Sequence, residues 1–338
     1  MNITRHTISL CPTCYAEIPA VITTLRDGVD ITKTCTLHGS FSGQLERDPI
    51  FYEWVKNLPQ QQSIYDGYFV DVTRRCNLRC ETCYYPLETK DPEGIFSIPA
   101  IVNDCRVNAW RGPFILTGGD PTMHTELGKI ICELKKVGRV ALLTNGVKLA
   151  DGAYFNEIMP LITDAGHASL NLSIHHKETD SWKQVIELCR ATKTLINSAL
   201  LVINDHDSFV SAIEWCKAHR DVVASFRIKA ATNIWNEGDA RNRVFISDML
   251  AWLEEMDVVI PITKNHFNKS VYTGVAFYGM LLNLVSWHDV TNVDLLDINC
   301  APWYRARNGE ILNFVTASLV NEGMSKGWLK GKPCSPIE

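Results

Sequence analysis

The sequence predicts an α/β protein, a partial (β/α)6 TIM-like barrel preceded by a small metal-binding β-hairpin unit. Three observations predict it. Strand-like runs alternate with helix-like segments over 67–230, cysteine and histidine pairs lie near the N-terminus, and a cysteine triplet follows the first strand of the repeat. Strands separated by helices favour right-handed βαβ units and a parallel sheet. About six such units suit an incomplete barrel better than an eightfold one.

The composition is typical of a globular protein and carries no nucleic-acid signal. Of 338 residues, 46 % are hydrophobic and 21 % charged, and the formal net charge is −5. No run of Lys or Arg provides the basic surface that nucleic-acid binding needs. The N-terminal stretch "MNITRHTISLCPTCY" has no apolar segment of the secretory kind. The sequence therefore predicts a cytoplasmic protein.

The longest apolar stretch is "VAFYGMLLNLVSW" at 275–287. It is shorter than the roughly 20 residues that a helix needs to span a bilayer, so no transmembrane segment is expected. We interpret it as a buried helix, with a membrane-contacting helix as the alternative.

The twelve cysteines fall into clusters and single positions. In a reducing compartment they favour metal ligation or burial over disulfides. The single ones lie in helix-like patterns, where a free thiol behaves as a small apolar group. We expect these four to pack in the core: Cys105, Cys132, Cys189 and Cys216.

The first cluster joins "CPTC" at 11–14 to "CTLH" at 35–38. Two ligand pairs of this spacing fit a tetrahedral site of three cysteines and one histidine. The members are Cys11, Cys14, Cys35 and His38. The intervening "AVITTLRDGVDITKT" predicts two strands around an Asp27-Gly28 turn. A closed site of this kind favours zinc. Mononuclear iron is one alternative, and a redox CxxC with an unrelated Cys and His is another.

The second cluster is "CNLRCETC", which places Cys76, Cys80 and Cys83 just after a predicted strand. Three thiolates can anchor three irons of a [4Fe–4S] cluster and leave the fourth iron open to a ligand that is not protein. A zinc loop completed by a distant residue is the alternative. Cys300 and Cys334 lie in Pro-flanked, turn-like contexts, and a second cluster at them would need further ligands.

Polar motifs follow successive strands at the edge where barrels of this kind place their chemistry. The predicted strands are 67–73, 113–119, 139–145, 168–176, 198–205 and 223–230, with helices such as 125–138 and 181–195 between them. "GGDPT" follows the second strand and "TNG" at 144–146 the third. Gly118 and Gly119 allow close backbone approach to a ligand, beside the carboxylate of Asp120. Taken alone, this motif is also compatible with a plain turn in which Asp120 caps a helix.

These residues resemble the radical S-adenosylmethionine (SAM) superfamily. "CNLRCETC" matches its CxxxCxxC motif and "GGDPT" is a version of its GGE motif, over about 66–230. The resemblance implies that SAM binds the open iron, and that an electron from the cluster cleaves it to a 5′-deoxyadenosyl radical that abstracts hydrogen. It further implies contacts to the methionyl amino group from Gly118, Gly119 and Asp120, and to ribose or carboxylate from Asn145, Asn171 and Ser173.

The chain departs from the family pattern in three places. Asp120 stands where glutamate is usual, and is one methylene shorter. Thr82 occupies the usual aromatic position before the third cysteine, so Tyr84 becomes the candidate at the adenine site. The fifth-strand GxIxGxxE pattern has no clear match.

The N-terminal unit resembles one subfamily. "LCPTCYAEIPA", "KTCTLHGSF" and "DPIFYEW" are similar to the class D radical SAM methyltransferases of pterin metabolism and to tetraether lipid synthases. This resemblance implies a small-molecule, cofactor or lipid-type substrate, changed at carbon by methylation or C–C bond formation. It also implies an electron donor such as flavodoxin or ferredoxin.

Two other functions remain open at this point. A peptide-modifying maturase would usually carry a seven-cysteine C-terminal extension, where this chain has only Cys300 and Cys334. A non-catalytic iron–sulfur electron-transfer protein would normally close all four corners of its cluster.

Substrate contacts are expected at the ends of two strands. His175 and His176 end the fourth strand. Arg227 and Lys229 alternate along the sixth, and on an interior face they would meet an anionic substrate or the SAM carboxylate.

The motifs divide the chain into three expected domains. They are a zinc-ribbon or rubredoxin-like unit at 1–60, the barrel at 61–257, and a C-terminal extension that caps the barrel at 258–338.

Overall fold

A computed structural model describes most of the chain. The described residues are 3–57, 68–80, 83, 85, 87–91, 94, 96–107, 113–174, 180–231, 243–261, 272–286, 289–298, 304–307 and 310–313. They form two sheets, one at the N-terminus and one that runs through the rest of the chain.

The N-terminal sheet is a four-stranded antiparallel meander. Its strands are β1 (Ile3–Leu10), β2 (Glu17–Thr24), β3 (Val29–Cys35) and β4 (Gly39–Glu46), followed by helix α1 (Pro49–Asn57). Every second residue of β2 and β3 is buried, as expected of a sheet with one covered face. That face packs Ile22, Ile31 and Leu45 against Tyr52 of α1. The predicted hairpin around Asp27-Gly28 is confirmed as the central half of this sheet.

The second sheet has twelve strands, with helices in most of the connections. The elements up to the middle of the chain are β5 (Tyr68–Thr73), α2 (Ile98–Val107), β6 (Phe114–Gly118), α3 (Leu127–Lys135), β7 (Val140–Thr144), α4 (Gly152–Ile162), β8 (Thr163–Asp164), β9 (His167–Ser173) and α5 (Ser181–Ala191). The remainder are β10 (Leu195–Ile203), α6 (His206–His219), β11 (Ser225–Ala230), α7 (Ile246–Met256), β12 (Ile260–Pro261), β13 (Tyr272–Phe277), β14 (Met280–Ser286), α8 (Leu295–Ile298), β15 (Tyr304–Arg307) and β16 (Glu310–Asn313).

The predicted parallel sheet is confirmed. Its order is β12-β13-β14-β11-β10-β9-β7-β6-β5-β15-β16, with β8 beside β9. All six predicted strands are present as the parallel run from β5 to β11. Strands β14 and β15, from the region beyond 257, add to the two ends of that run in parallel. Closure into a partial barrel stays an expectation.

The two faces of the sheet differ in chemistry. One face packs against the helices; along β11 this face carries Phe226, Ile228 and Ala230, all buried in the main core. The other face carries polar side chains, including Arg227 and Lys229 on the same strand. The alternation follows from the strand period of two, and it leaves one face available for ligands.

Two sequence predictions are wrong. The stretch 275–287 is not a helix, because most of it lies in the hairpin of β13 and β14. Tyr278 and Gly279 both have positive φ, 48° and 71°, as a two-residue type I′ turn requires. Cys132 is exposed on α3, whereas Cys105, Cys189 and Cys216 are buried as predicted.

The N-terminal sheet docks on the segment 289–295. Ser9 Oγ donates to the Val293 carbonyl oxygen over 2.6 Å, and Asn292 Nδ2 donates to the Gln44 carbonyl oxygen over 2.7 Å. A Cβ on Gly43 would lie 2.6 Å from the Thr291 carbonyl oxygen, so the two backbones are in close contact. No helix within the described part of the chain is long and apolar enough to cross a membrane.

Candidate functional site

The cysteine triplet lies at the carboxyl edge of the parallel sheet. Cys76 follows the end of β5, and all three thiols are partly buried. The loop turns tightly, because the Cys83 backbone N–H donates to the Cys80 carbonyl oxygen over 3.0 Å. Cys76 Sγ accepts hydrogen bonds from the Leu78 backbone N–H at 3.4 Å and from Asn145 Nδ2 at 3.7 Å.

Electrostatics make a metal-free thiolate unfavourable at Cys76. Burial raises the pKa of this thiol to about 11, and the charges of Asp120, Cys83 and Cys80 add to that rise. Cys80 and Cys83, as thiolates, therefore lie near enough to Cys76 to oppose its ionisation. A cationic cluster core relieves such repulsion, so the donor set fits an iron–sulfur cluster.

A carboxylate that the sequence analysis missed anchors the start of this loop. Asp91 accepts hydrogen bonds from Thr73 Oγ1 at 2.8 Å, the Arg74 backbone N–H at 2.6 Å and Arg75 Nε at 2.9 Å. Burial raises its pKa, but these donors outweigh burial and lower the pKa overall. The only sequence signal is the turn-like "KDPEG", which does not reveal a contact back to 73–75.

The GGD motif is joined to the same loop by its backbone. The Gly119 N–H donates to the Thr73 carbonyl oxygen over 2.9 Å, and the Asp120 N–H donates to the Arg75 carbonyl oxygen over 2.8 Å. Gly118 has a φ of +129°, and a Cβ there would lie 2.2 Å from the Thr73 carbonyl oxygen. A Cβ on Gly119 would lie 2.3 Å from the Arg75 carbonyl oxygen. Both glycines are therefore required where the motif packs against the residues that precede Cys76.

Asp120 is buried, with 1 % of its surface exposed. Its carboxylate accepts from the backbone N–H and hydroxyl of Thr122, from Thr144 Oγ1 and from the Asn145 backbone N–H. Burial raises its pKa, while these donors oppose that rise. The N-cap interpretation of the sequence is correct in part, since Asp120 caps the short turn Pro121–Met123.

The other predicted SAM contacts divide into two places. Asn145 lies against the cysteine loop, where its Nδ2 also donates to Asn77 Oδ1 over 2.8 Å. Asn171 lies on β9, bonding to the Leu142 carbonyl oxygen at 3.5 Å and accepting from Asn197 Nδ2 at 2.9 Å. Ser173 ends β9 and is 8 % exposed. The structure therefore brings Asn145, but not Asn171, into hydrogen-bond contact with Cys76.

Two cations lie on the same face of the sheet. Arg227 and Lys229 are half-buried on β11, opposite the residues that pack in the core. Burial lowers the pKa of Lys229 to about 8, and the charge of Arg227 lowers it further. The Cys83 sulfur opposes this shift, which places Lys229 near the cysteine loop.

The N-terminal ligand pairs meet as predicted. One ligand atom from each of Cys11, Cys14, Cys35 and His38 lies within 4.8 Å of the others. His38 Nδ1 is 3.6 Å from Cys11 Sγ and 3.4 Å from Cys35 Sγ. Burial opposes ionisation of Cys11, but hydrogen bonds from the Cys14 and Thr13 backbone and the neighbouring thiols lower its pKa to about 6. This donor set fits a tetrahedral metal ion.

Several predicted residues lie outside the described part of the chain. They are Thr82, Tyr84, His175, His176, Cys300 and Cys334.

Comparison with known families agrees with the two sites. Residues 3–47 match the family described as the HMPTM N-terminal zinc ribbon domain. Residues 70–225, which hold the cysteine triplet and the GGD motif, match the radical SAM superfamily.

The chain contains a radical SAM domain behind an N-terminal zinc ribbon domain.

The chain resembles curated proteins over part of its length. It is 30 % identical over 184 residues to a 7,8-dihydro-6-hydroxymethylpterin dimethyltransferase of Methanocaldococcus jannaschii, covering 46 % of this chain and 36 % of that protein. It is 28 % identical over 123 residues to a "Probable GTP 3′,8-cyclase" of Saccharolobus islandicus, covering 34 % of this chain and 37 % of that protein. The matches thus span little more than a third of each relative.

Solved structures share the fold of this chain. Streptococcus suis SuiB bound to the precursor peptide SuiA has a TM-score of 0.50 at 10 % identity, over 81 % of this chain and 64 % of that one. SuiB bound to S-adenosylmethionine also has a TM-score of 0.50 at 10 % identity, over 75 % and 61 %. At such low identity the likeness concerns the fold alone.

Proposed function

We propose that this chain uses SAM and a [4Fe–4S] cluster to abstract hydrogen from carbon of a small-molecule, cofactor or lipid-type substrate, leading to methylation or C–C bond formation. One observation carries the proposal. Within a radical SAM domain, the residues that lead directly into Cys76 are hydrogen-bonded through their backbone to the GGD motif, because Thr73 and Arg75 accept from Gly119 and Asp120. Cluster ligands and a candidate SAM-binding segment are thereby held as one unit at the carboxyl edge of the sheet.

Each part of the site has a proposed role. A reduced cluster, when bound by the three cysteines, supplies the electron that splits SAM into methionine and a 5′-deoxyadenosyl radical. The backbone of Gly118 and Gly119 binds the methionyl amino group. Asn171 and Ser173 are candidate contacts to the ribose or the carboxylate of SAM, and Tyr84 is the candidate contact to its adenine.

We propose zinc for the N-terminal site, with mononuclear iron as the competing metal. The zinc ribbon family match and the closed Cys3His donor set support it. The proposed domain limits remain 1–60, 61–257 and 258–338. A cytoplasmic location, where thiols stay reduced, and a flavodoxin or ferredoxin as electron donor complete the proposal.

The deciding experiment is anaerobic reconstitution of the full chain. We expect about four irons and one zinc per chain, and reductant-dependent 5′-deoxyadenosine from SAM. Cys80→Ala should lose the cluster iron, whereas Cys132→Ala, which changes an exposed thiol on α3, should retain it. A fully loaded and reduced cluster that leaves SAM intact would instead support an electron-transfer protein.

We further propose that Arg227 and Lys229 bind an anionic group beside the cluster. Their position on the polar face of β11, with Lys229 near Cys83, supports this role. The variants Lys229→Met and Arg227→Met distinguish two possible anions, the SAM carboxylate and an anionic substrate. Weaker SAM binding in equilibrium dialysis would identify the SAM carboxylate as the anion. Unchanged SAM binding together with a raised KM for the substrate, once one is known, would identify an anionic substrate. Unchanged turnover once a substrate is known would refute the role.

A further inference from the structure

The hydrogen bonds of Asp120 point to a role different from a direct contact to SAM. An ionised carboxylate offers about four acceptor sites. Four donors of the chain already use them, from Thr122, Thr144 and Asn145, and the residue is 1 % exposed. Its acceptor capacity is therefore spent within the protein, and its contacts lead to the loop after β7.

That loop holds the Asn145 amide in one orientation. The Asn145 backbone N–H donates to Asp120 Oδ2 over 2.8 Å, while its side-chain Oδ1 accepts from the Val147 backbone N–H over 3.0 Å. With Oδ1 engaged by a donor, Nδ2 faces two acceptors, Asn77 Oδ1 at 2.8 Å and Cys76 Sγ at 3.7 Å. The amide is therefore fixed at both ends with its N–H directed at a proposed cluster ligand.

We propose that Asn145 raises the reduction potential of the cluster by donating an N–H···S hydrogen bond to Cys76, and that Asp120 is a positioning residue that holds Asn145 in place. The inference rests on the proposed cluster at Cys76, Cys80 and Cys83. Hydrogen bonds to cluster sulfurs stabilise the reduced form, because reduction increases the negative charge on the sulfurs. We call the path from Asp120 through Asn145 to Cys76 the relay. It links the GGD motif to the reduction potential of the cluster.

The test is an EPR-monitored redox titration of the reconstituted full chain without SAM. Asn145→Ala and Asn145→Leu remove the donor without adding a charge, so both should shift the midpoint potential to lower values. Asn171→Ala, the same residue type on the next strand of the site, should leave it unchanged. A residue that only binds SAM or only supports folding would not move this potential. Unchanged potentials in both Asn145 variants would overturn the inference.

A double-mutant cycle tests the part played by Asp120. Loss of its negative charge by itself raises the potential, whereas loss of its hold on Asn145 lowers it. In the Asn145→Ala background only the charge effect remains, so Asp120→Ala should raise the potential more there than in the wild type. Equal shifts in the two backgrounds would refute the relay. Asp120→Asn replaces Asp120→Ala if the latter does not accumulate folded.

Failure of the cluster proposal is distinguishable from failure of this inference. Iron and sulfide content and the EPR signal of the reduced wild type are measured first. Absence of a cluster there would refute the proposed function. A normal cluster whose midpoint potential is the same in the wild type and in the Asn145 variants would refute only the relay.

Discussion

Lys33 donates a hydrogen bond from Nζ to the Val290 carbonyl oxygen over 2.7 Å, across the contact between the N-terminal sheet and the segment 289–295. The same ammonium group donates to Ser9 Oγ over 2.9 Å, and the side chain is 3 % exposed. Burial lowers its pKa to about 8, although the charges of Asp289 and Cys11 oppose that shift. A buried lysine therefore joins the strand that ends at Cys35 to the segment after β14.

Loss of this link should destabilise the docked N-terminal sheet. Lys33→Ala leaves the Val290 carbonyl without its lysine donor in a buried position, so we expect the free energy of unfolding to fall by about 2 kcal/mol. Urea unfolding measures the loss, and faster hydrogen exchange over 289–295 would locate it. Lys136→Ala is the matched control, because its side chain is 65 % exposed and its ion pair with Glu133 lies on the surface. Equal stability of the two variants would contradict the assignment.

Glu46 should make stability depend on pH. It is fully buried in β4 and accepts hydrogen bonds from Ser247 Oγ and from the Arg47 backbone N–H. Burial raises its pKa to about 7, against 4.5 for the ordinary side chain, and nearby Asp248 adds to the rise. The folded state therefore keeps this proton to a higher pH than the unfolded state does. Stability should fall as pH rises from about 4.5 to about 7 and then level off.

Glu46→Gln should remove this dependence. Above pH 7 the variant is expected to exceed the wild type in free energy of unfolding by on the order of 3 kcal/mol, because the uncharged amide avoids burial of a charge. Urea unfolding between pH 4 and pH 8 measures both profiles. Glu133→Gln, on the surface of α3, should parallel the wild type. A Glu46→Gln profile that also parallels it would refute the prediction.

Gly119→Ala should disturb the cysteine loop. The new Cβ would lie 2.3 Å from the Arg75 carbonyl oxygen and 2.7 Å from its carbon, and neither backbone segment can yield without moving Cys76. We expect a loss of stability above about 2 kcal/mol together with reduced iron uptake. Gly152→Ala is the control. Gly152 is the first residue of helix α4, and a Cβ there would have no atom within 4 Å. Iron analysis after reconstitution, with thermal unfolding of both variants, separates the two outcomes.

The two metal sites should load independently. Cys14→Ala removes one donor from the N-terminal group, so its zinc should be lost and the meander should open, because such sites couple metal binding to folding. Cluster iron should be retained, since Cys76, Cys80 and Cys83 belong to the other sheet. Metal analysis and hydrogen exchange over 3–47 test both statements. Loss of iron in step with zinc would show that the sites depend on each other.

Strands in the parallel run could be predicted because each is a short β-branched or aromatic run followed by a turn and a helix. The hairpin of β13 and β14 could not. A stretch of thirteen residues, ten of them apolar, fits a buried helix and buried strands equally well by periodicity. The positive φ of Tyr278 makes the turn of the hairpin, and an aromatic residue at that position gives no sequence signal for such a φ.

The candidate site likewise has some features that the sequence predicted and others that it did not. Ligand spacing predicted the meeting of Cys11 with Cys35, and motif order predicted Asp120 beside the cysteine loop. Asp91 was missed because its partners lie at 73–75, and no local pattern encodes such a contact. The orientation of the Asn145 amide was missed for a similar reason, since it depends on two neighbouring loops at once.

The amino-acid sequence was enough to predict the two metal-binding patterns, the alternating strands and helices, and the radical SAM domain. These follow from spacing and periodicity, which are properties of neighbours along the chain. Three contacts are visible only in the folded chain: the internal donors that surround Asp120, the approach of Asn145 to Cys76, and the link from Lys33 to the segment after β14. Burial and hydrogen bonding between distant segments set these contacts, and both depend on how the whole chain packs.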